Sequence, residues 1–504
     1  MSLPIHKAFP SIFVRIPLCL ALVWCFLWGL AGCDAFIQDF VPDESGFDGA
    51  VTAIKAERDG SCGVVMVRVP YLDIYGNPRE GRARLVLHRS RVRGKAPVPA
   101  FCHVHYEMSV DNAKKWAERG WAVFTAVYNE EAPIAVSMGD GYNQARAIIQ
   151  WVRRCPFIDK MRLHLDGGSQ GGYMSLAMSA DMFPVTSATA DAPVANWAYN
   201  LNYFEANRSL VAEYSDPMKS PLPVFASVLR LADMAYEHFP RNLSDDAWFR
   251  LSPISETACI TNPVLITIAT GDMLVPMEQM TRAHLYPHNP ENFPQGYVRD
   301  FDRIAPSDKT RVPLEEILAP ETVSTQVMPL QEHSYLVSTA MRQDKELRPK
   351  VRPAAADRPW SKNHQWNFCY LDEGPPAPVA DHTTYAWDTV PDSFVDHYFG
   401  ALPGPELLNE AKLQRLLERY TGHMSDLPLL KDGTSANRRN FEYVEQRDVL
   451  SGLLFFAESS PACAERLAVL YAASDLKPLG PQATIPALRQ LLESLLQAGR
   501  SETG

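Results

Sequence analysis

The chain has 504 residues, of which 46% are hydrophobic and 21% charged, with a formal net charge of −11. That composition is globular, and the length allows one large core plus a further domain or large insertions. The acidic balance supplies no basic stripe for neutralising phosphates, so nucleic acid is not an expected partner.

Residues 1–32 read as an export signal. Lys7 and Arg15 give a weakly positive start, and residues 18–30 form an apolar run too short and too close to the terminus for an ordinary spanning helix. The run ends in Leu30-Ala31-Gly32-Cys33, which resembles a bacterial lipobox. The resemblance implies cleavage before Cys33, a lipid on that cysteine, and a place in the bacterial cell envelope facing the periplasm or the exterior. The alternatives are a plain signal peptide or an uncleaved anchor. Residues 33–63 then read as a linker. Cys62, Cys102, Cys155, Cys259, Cys369 and Cys463 remain beyond the leader, an even number that permits disulfides outside the cytosol. Cys102 lies in a buried-strand pattern and also reads as a free core thiol.

Residues 64–342 read as one domain. Strand patterns at 64–69 and 82–87 flank a polar turn at Gly76-Asn77-Pro78, as in a hairpin. A third strand at 98–104 precedes a helix containing 113–119, which Gly120 ends. A strongly apolar strand follows at 121–128. Ala145, Ile148, Ile149 and Val152 recur at i, i+3, i+4 and i+7, one apolar face of a helix. A strand at 161–165, a small-residue helix at 173–180 and a strand at 185–190 continue the alternation, which predicts a mostly parallel sheet with helices on both faces. Residues 197–255 interrupt it with an aromatic, helical stretch placed like a cap over an active site. Strands resume at 263–268 and 322–328. Residues 343–400 are proline-rich and read as irregular, and 401–504 read as a helical C-terminal extension without evident chemistry.

The chemistry gathers on Gly167-Gly168-Ser169-Gln170-Gly171, a G-x-S-x-G pattern. A serine at the tip of a strained strand-to-helix turn needs neighbours without side chains, and here a strand precedes the pattern and a helix follows it. A serine hydroxyl also needs a base and a group to orient that base. On such a sheet the chain order is nucleophile, acid, histidine. Asp272, just after the 263–268 strand, is the expected acid; the alternatives are an ordinary turn aspartate there, or Glu278 as the acid. His333, a few residues past the 322–328 strand, is the expected base, with His364, His382 and His397 also downstream. The oxyanion donors expected are the backbone N–H groups of Gln170 and of Tyr106, which otherwise packs over the pocket. No C-x-x-C or H-E-x-x-H spacing occurs, so neither a metal site nor a cofactor is expected.

From about residue 80 to 340 the chain resembles the α/β-hydrolases, in the branch of prolyl-oligopeptidase-like peptidases and acetyl-xylan esterase or cephalosporin-deacetylase-like enzymes. The residues that carry this are Gly168-Ser169-Gln170-Gly171-Gly172-Tyr173-Met174, Phe157-Ile158-Asp159-Lys160-Met161-Arg162, Ser252-Pro253, and Gly271-Asp272 with Val275-Pro276. The resemblance implies an α/β-hydrolase fold, a Ser169, Asp272 and His333 triad, and oxyanion donors at Tyr106 and Gln170. Two departures stand out. Few residues precede the sheet to form the β-propeller that gates such peptidases, and Asn129-Glu130-Glu131 stands where the deacetylases carry Arg-Gly-Gln. The expected function is a serine hydrolase of carboxylic esters, with a small molecule or saccharide ester as substrate. The alternatives are a prolyl-oligopeptidase-like serine peptidase acting on peptides, and a non-catalytic surface lipoprotein whose C-terminal helices bind a partner.

Overall fold

A computed structural model describes residues 51–73, 76–92, 96–127, 138–197, 200–201, 251–253, 256–269, 275, 279, 323–329, 365–372, 390–400, 404–421, 435–473, 486–490 and 493–494. The strands are β1 (Thr52–Asp59), β2 (Cys62–Leu72), β3 (Pro78–His88), β4 (Val98–His103), β5 (Ala122–Ala126), β6 (Ile158–Gly168), β7 (Ser187–Asp191), β8 (Val264–Ala269), β9 (Val323–Pro329) and β10 (Trp366–Asp372). They form one sheet in the order β1-β2-β3-β5-β4-β6-β7-β8-β10-β9. The β1–β2, β2–β3 and β3–β5 pairings are antiparallel, and every pairing from β5 to β9 is parallel.

Each parallel connection needs a crossover, and the chain supplies helices α1 (Val110–Glu118), α2 (Met138–Arg154) and α3 (Gln170–Asp181). Ser109 starts α1 by accepting from the Asn112 N–H at 3.2 Å, and Gly120, at φ 105°, turns the chain out of it into β5. Successive strand residues face opposite sides of the sheet. Ala100, Cys102, Ala122 and Phe124 pack with α2 and α3 in the main core. Their neighbours Phe101 and Val123 pack with Ala113, Trp116 and Trp121 on the other face, beside Val395 of helix α4 (Val390–Phe399). A mostly parallel sheet with helices on both faces, entered through an antiparallel N-terminal edge, is the α/β-hydrolase fold.

The structure departs from the sequence expectation in two places. Strand β1 and the first residues of β2 belong to the sheet although residues 33–63 read as a linker, because the β1–β2 pairing satisfies their backbone groups. The sheet does not end with the 322–328 strand. A further strand, β10, comes from the proline-rich stretch and inserts between β8 and β9, pairing Trp366 with Val264 on one side and Val323 on the other. The helices of the C-terminal extension pack directly on the sheet domain. Helices α5 (Glu410–Tyr420), α6 (Ser435–Ser459) and α7 (Pro461–Ala473) share a core with Met161 and Phe183 of the sheet domain. The cap expected at 197–255 lies outside the described residues except for Trp197, Asn200, Leu201 and residues 251–253.

Candidate active site

Strand β6 runs into α3 through a turn whose only residue is Ser169, at φ 54° and ψ −118°. A side-chain-bearing residue rarely adopts that conformation, so the turn stores strain. Contacts on every side make it rigid. The Ser169 N–H donates to the Asp191 carbonyl at 2.7 Å, and the Ser169 carbonyl accepts from Tyr173 N–H at 2.9 Å. A Cβ on Gly167 would lie 2.5 Å from the backbone of Gly171, and one on Gly171 would lie 2.5 Å from the Val104 carbonyl oxygen. Both glycines of the G-x-S-x-G pattern are therefore steric necessities of this elbow. Gly172 is nearly as confined, with the Asp191 carbonyl 2.9 Å from a built Cβ.

Among the described residues, the non-glycine positions with positive φ are His105, Ser169 and Ala192. They follow the C-terminal ends of β4, β6 and β7, neighbouring strands of the parallel sheet. Strained backbone thus gathers on the sheet edge where open α/β sheets bind ligands. At His105, φ is 73°, and the Tyr106 N–H closes a three-residue turn onto the Val104 carbonyl at 3.0 Å. That turn brings the Tyr106 phenol beside Ser169. Burial raises the phenol pKa above its usual value, against the opposite pull of Ser169, so the hydroxyl stays protonated at neutral pH. The loop beyond is pinned: Thr125 Oγ1 donates to the Tyr106 carbonyl at 3.2 Å, and Arg84 holds Glu107 at 2.5 Å.

Of the residues singled out from sequence, the structure brings together Ser169, Gln170 and Tyr106. Gln170 opens α3, so its N–H has no carbonyl one turn earlier to bond. Among the described residues, its buried side-chain nitrogen has no hydrogen-bond partner. The Tyr106 N–H is spent within its own turn, which leaves the phenol as the group this residue offers to Ser169. Cys33, Asp272, Glu278, His333, His364 and His382 lie outside the described residues, while His397 sits in α4. Strand β8 ends at Ala269, three residues before Asp272. Cys62, Cys102, Cys155, Cys259 and Cys463 are free thiols, and burial pushes the Cys155 thiol up to about 12.

Sequence reasoning missed a polar ladder across the end of the sheet. His103 Nδ1 meets Asp166 Oδ2 at 2.6 Å, and Thr189 Oγ1 donates to Asp166 Oδ1 at 2.5 Å. His164 bonds Ser187 Oγ at 2.8 Å and Thr189 Oγ1 at 3.1 Å, and Thr267 Oγ1 donates to Asp191 Oδ1 at 2.6 Å. Burial lowers the His164 pKa to about 4, against the raising effect of Asp166, and lowers His105 to about 3 with help from His103. Both imidazoles are neutral at physiological pH. The signal was present in Leu163-His164-Leu165-Asp166 and Ser187-Ala188-Thr189-Ala190-Asp191, where polar residues recur at period two inside buried strands.

No family model matches the chain, and no curated protein does. Among solved structures it is similar to an acylaminoacyl peptidase of Pyrococcus horikoshii, at 11% identity over 45% of this chain and 41% of that one, with a TM-score of 0.31. It is also similar to acetyl xylan esterase 1 of a Thermoanaerobacterium species, at 13% identity over 48% of this chain and 80% of that one, TM-score 0.31. A puromycin hydrolase gives 15% identity over 46% and 40% of the two chains, TM-score 0.31. The chain spans about two fifths of the length of the acylaminoacyl peptidases it matches. The fold stands on the strand order above, independently of these likenesses.

Proposed function

We propose that this chain is a serine hydrolase that cleaves carboxylic esters through an acyl-enzyme on Ser169. The observation that carries the reading is the elbow: a strained serine between two sterically required glycines, at the end of a central parallel strand, with the Tyr106 phenol beside it. In this reading Ser169 Oγ attacks the ester carbonyl carbon while its proton passes to a histidine. The Gln170 N–H and the Tyr106 hydroxyl receive the negative charge on the carbonyl oxygen. The carbon–oxygen bond to the alcohol breaks as the histidine returns the proton to the leaving oxygen. Water then repeats the cycle, releasing the acid and restoring Ser169.

Asp272 is the proposed acid, and His333 and His382 are the candidates for the base. His333 comes four residues after β9 and His382 ten after β10, so both follow strands that end on the same side of the parallel sheet as β6 and Ser169. Leu30-Ala31-Gly32-Cys33 supports lipidation at Cys33 and display outside the cytoplasm, which palmitate-analogue labelling of wild type and Cys33→Ala tests.

The function is tested by turnover of short-chain aryl esters against a dipeptide amide panel. Ester cleavage lost in Ser169→Ala supports the reading, faster amide cleavage would replace it with a peptidase, and no turnover of either class would contradict it. Of His333→Ala and His382→Ala, the one that removes turnover identifies the base.

A further inference from the structure

Helix α3 is buried along its entire length, yet it is built largely from small residues, including Gly171, Gly172, Ser175, Ala177, Ser179 and Ala180. Small side chains offer few knobs to stop a helix sliding along its axis. Something else must hold it, because a catalytic group has to stay within ~0.5 Å of its productive position. The N-terminal end is fixed at the elbow. At the other end, the last carbonyls of a helix have no intrahelical partner. Here they are taken by side chains of the C-terminal extension. The Lys412 ammonium donates to the carbonyls of Ser179 at 2.6 Å, Ala180 at 2.7 Å and Met182 at 3.0 Å. Arg419 donates to the Asp181 carbonyl between them. Arg415 Nε holds the Asp181 carboxylate at 3.0 Å, and Tyr142 hydrogen-bonds its other oxygen.

Lys412, Arg415 and Arg419 stand at i, i+3 and i+7 of α5, one helix face. Behind them the same cluster continues. Arg419 binds Glu445 and Asp448 of α6, Arg153 binds Asp448 at 3.1 Å, and Arg146 binds Glu445. A cation at a helix C-terminus also complements the helix dipole. Lys412 uses all three ammonium protons, so the geometry calls for the charged form although burial lowers its pKa to about 7.

We propose that Lys412 is a positioning residue for Ser169: its hydrogen bonds to the Ser179 and Ala180 carbonyls of α3 and to the carbonyl of Met182, the residue that caps it, fix the axial position of the helix that carries the elbow. This makes the C-terminal extension part of the reaction machinery rather than a partner-binding appendage, and it rests on the reading of Ser169 as the nucleophile. A helix of this length transmits such a constraint over ~18 Å as a rigid rod.

The test is the kinetics of fluorophosphonate labelling in the full chain, which separates the limiting phosphonylation rate from the half-saturating concentration. Lys412→Met is compared with Arg153→Met, which removes a buried cation of the same cluster without touching the α3 carbonyls. Lys412→Met should lower the limiting rate at least tenfold with the half-saturating concentration unchanged, while Arg153→Met stays within about twofold of wild type. A folded Lys412→Met that labels at the wild-type rate overturns the proposal, as does an equal loss in Arg153→Met. If Lys412→Met does not fold, Lys412→Gln, which keeps an amide donor, takes the same two readings. A folded wild type that never labels contradicts the nucleophile reading instead. Amide exchange across 171–174 then decides the clamp, which predicts at least tenfold faster exchange in Lys412→Met than in Arg153→Met.

Discussion

Replacing His164 with glutamine should change how the protein's stability depends on pH. His164 is fully buried, bonded to Ser187 and Thr189, with its ring 5.1 Å from that of Phe101 and 6.1 Å from that of Trp121. Its folded pKa is lowered to about 4 by burial, whereas an unfolded chain's histidine titrates near 6.5. The unfolded state therefore binds more protons between those values, and stability falls as pH falls through that window. Above pH 6.5 the effect vanishes; each unit below costs about 1.4 kcal/mol until the folded group itself titrates. At pH 5 that is about 2 kcal/mol, and the full loss by pH 4 is about 3 kcal/mol. His164→Gln retains polar reach toward Ser187 and Thr189 but cannot titrate. It should be less stable than wild type at pH 8, by about 1–3 kcal/mol for imperfect hydrogen bonding. Urea unfolding at pH 8 and pH 5 measures both chains. The variant should lose about 2 kcal/mol less than wild type between the two pH values. The loss from His105 is common to both and cancels in the comparison. Equal losses in the two proteins would show that His164 does not carry this pH dependence.

Other outcomes follow from the elbow and the ion cluster. Gly171→Ala places a Cβ 2.5 Å from the Val104 carbonyl oxygen. It should cost roughly 1–3 kcal/mol in urea unfolding and abolish turnover, because the elbow must shift to admit it. Tyr106→Phe removes the phenol hydroxyl beside Ser169 and should lower turnover by about 10²–10³ with little loss of stability. Asp448→Asn breaks the buried pairs with Arg153 and Arg419 and should cost about 3–5 kcal/mol in thermal or urea unfolding at pH 7. The attraction of those arginines outweighs burial and holds the Asp448 carboxyl below its usual value. That contribution is thus present at neutral pH and lost only below about pH 4, outside the histidine window.

The elbow was legible in the sequence because its requirements are local: a strand, residues without side chains, then a helix. Gly167 and Gly171 could be read as necessary before any contact was known, and the structure supplies the contacts. Strand β10 was hidden because Trp366–Asp372 lies among prolines and its place between β8 and β9 is set by distant partners. The role of the extension was hidden for another reason. The sequence does not single out Lys412, Arg415 and Arg419, since charge alone does not reveal burial. Only the fold shows that this face meets the end of α3. Tyr106 was found, but which of its groups faces Ser169 depends on the positive φ at His105, which sequence does not display.

The nucleophile is tested by fluorophosphonate labelling of the folded full-length chain, with the modified peptide mapped by mass spectrometry. One stoichiometric adduct on Ser169 is expected, absent in Ser169→Ala. An unlabelled wild type, or an adduct on another residue that survives in Ser169→Ala, would contradict Ser169 as the nucleophile.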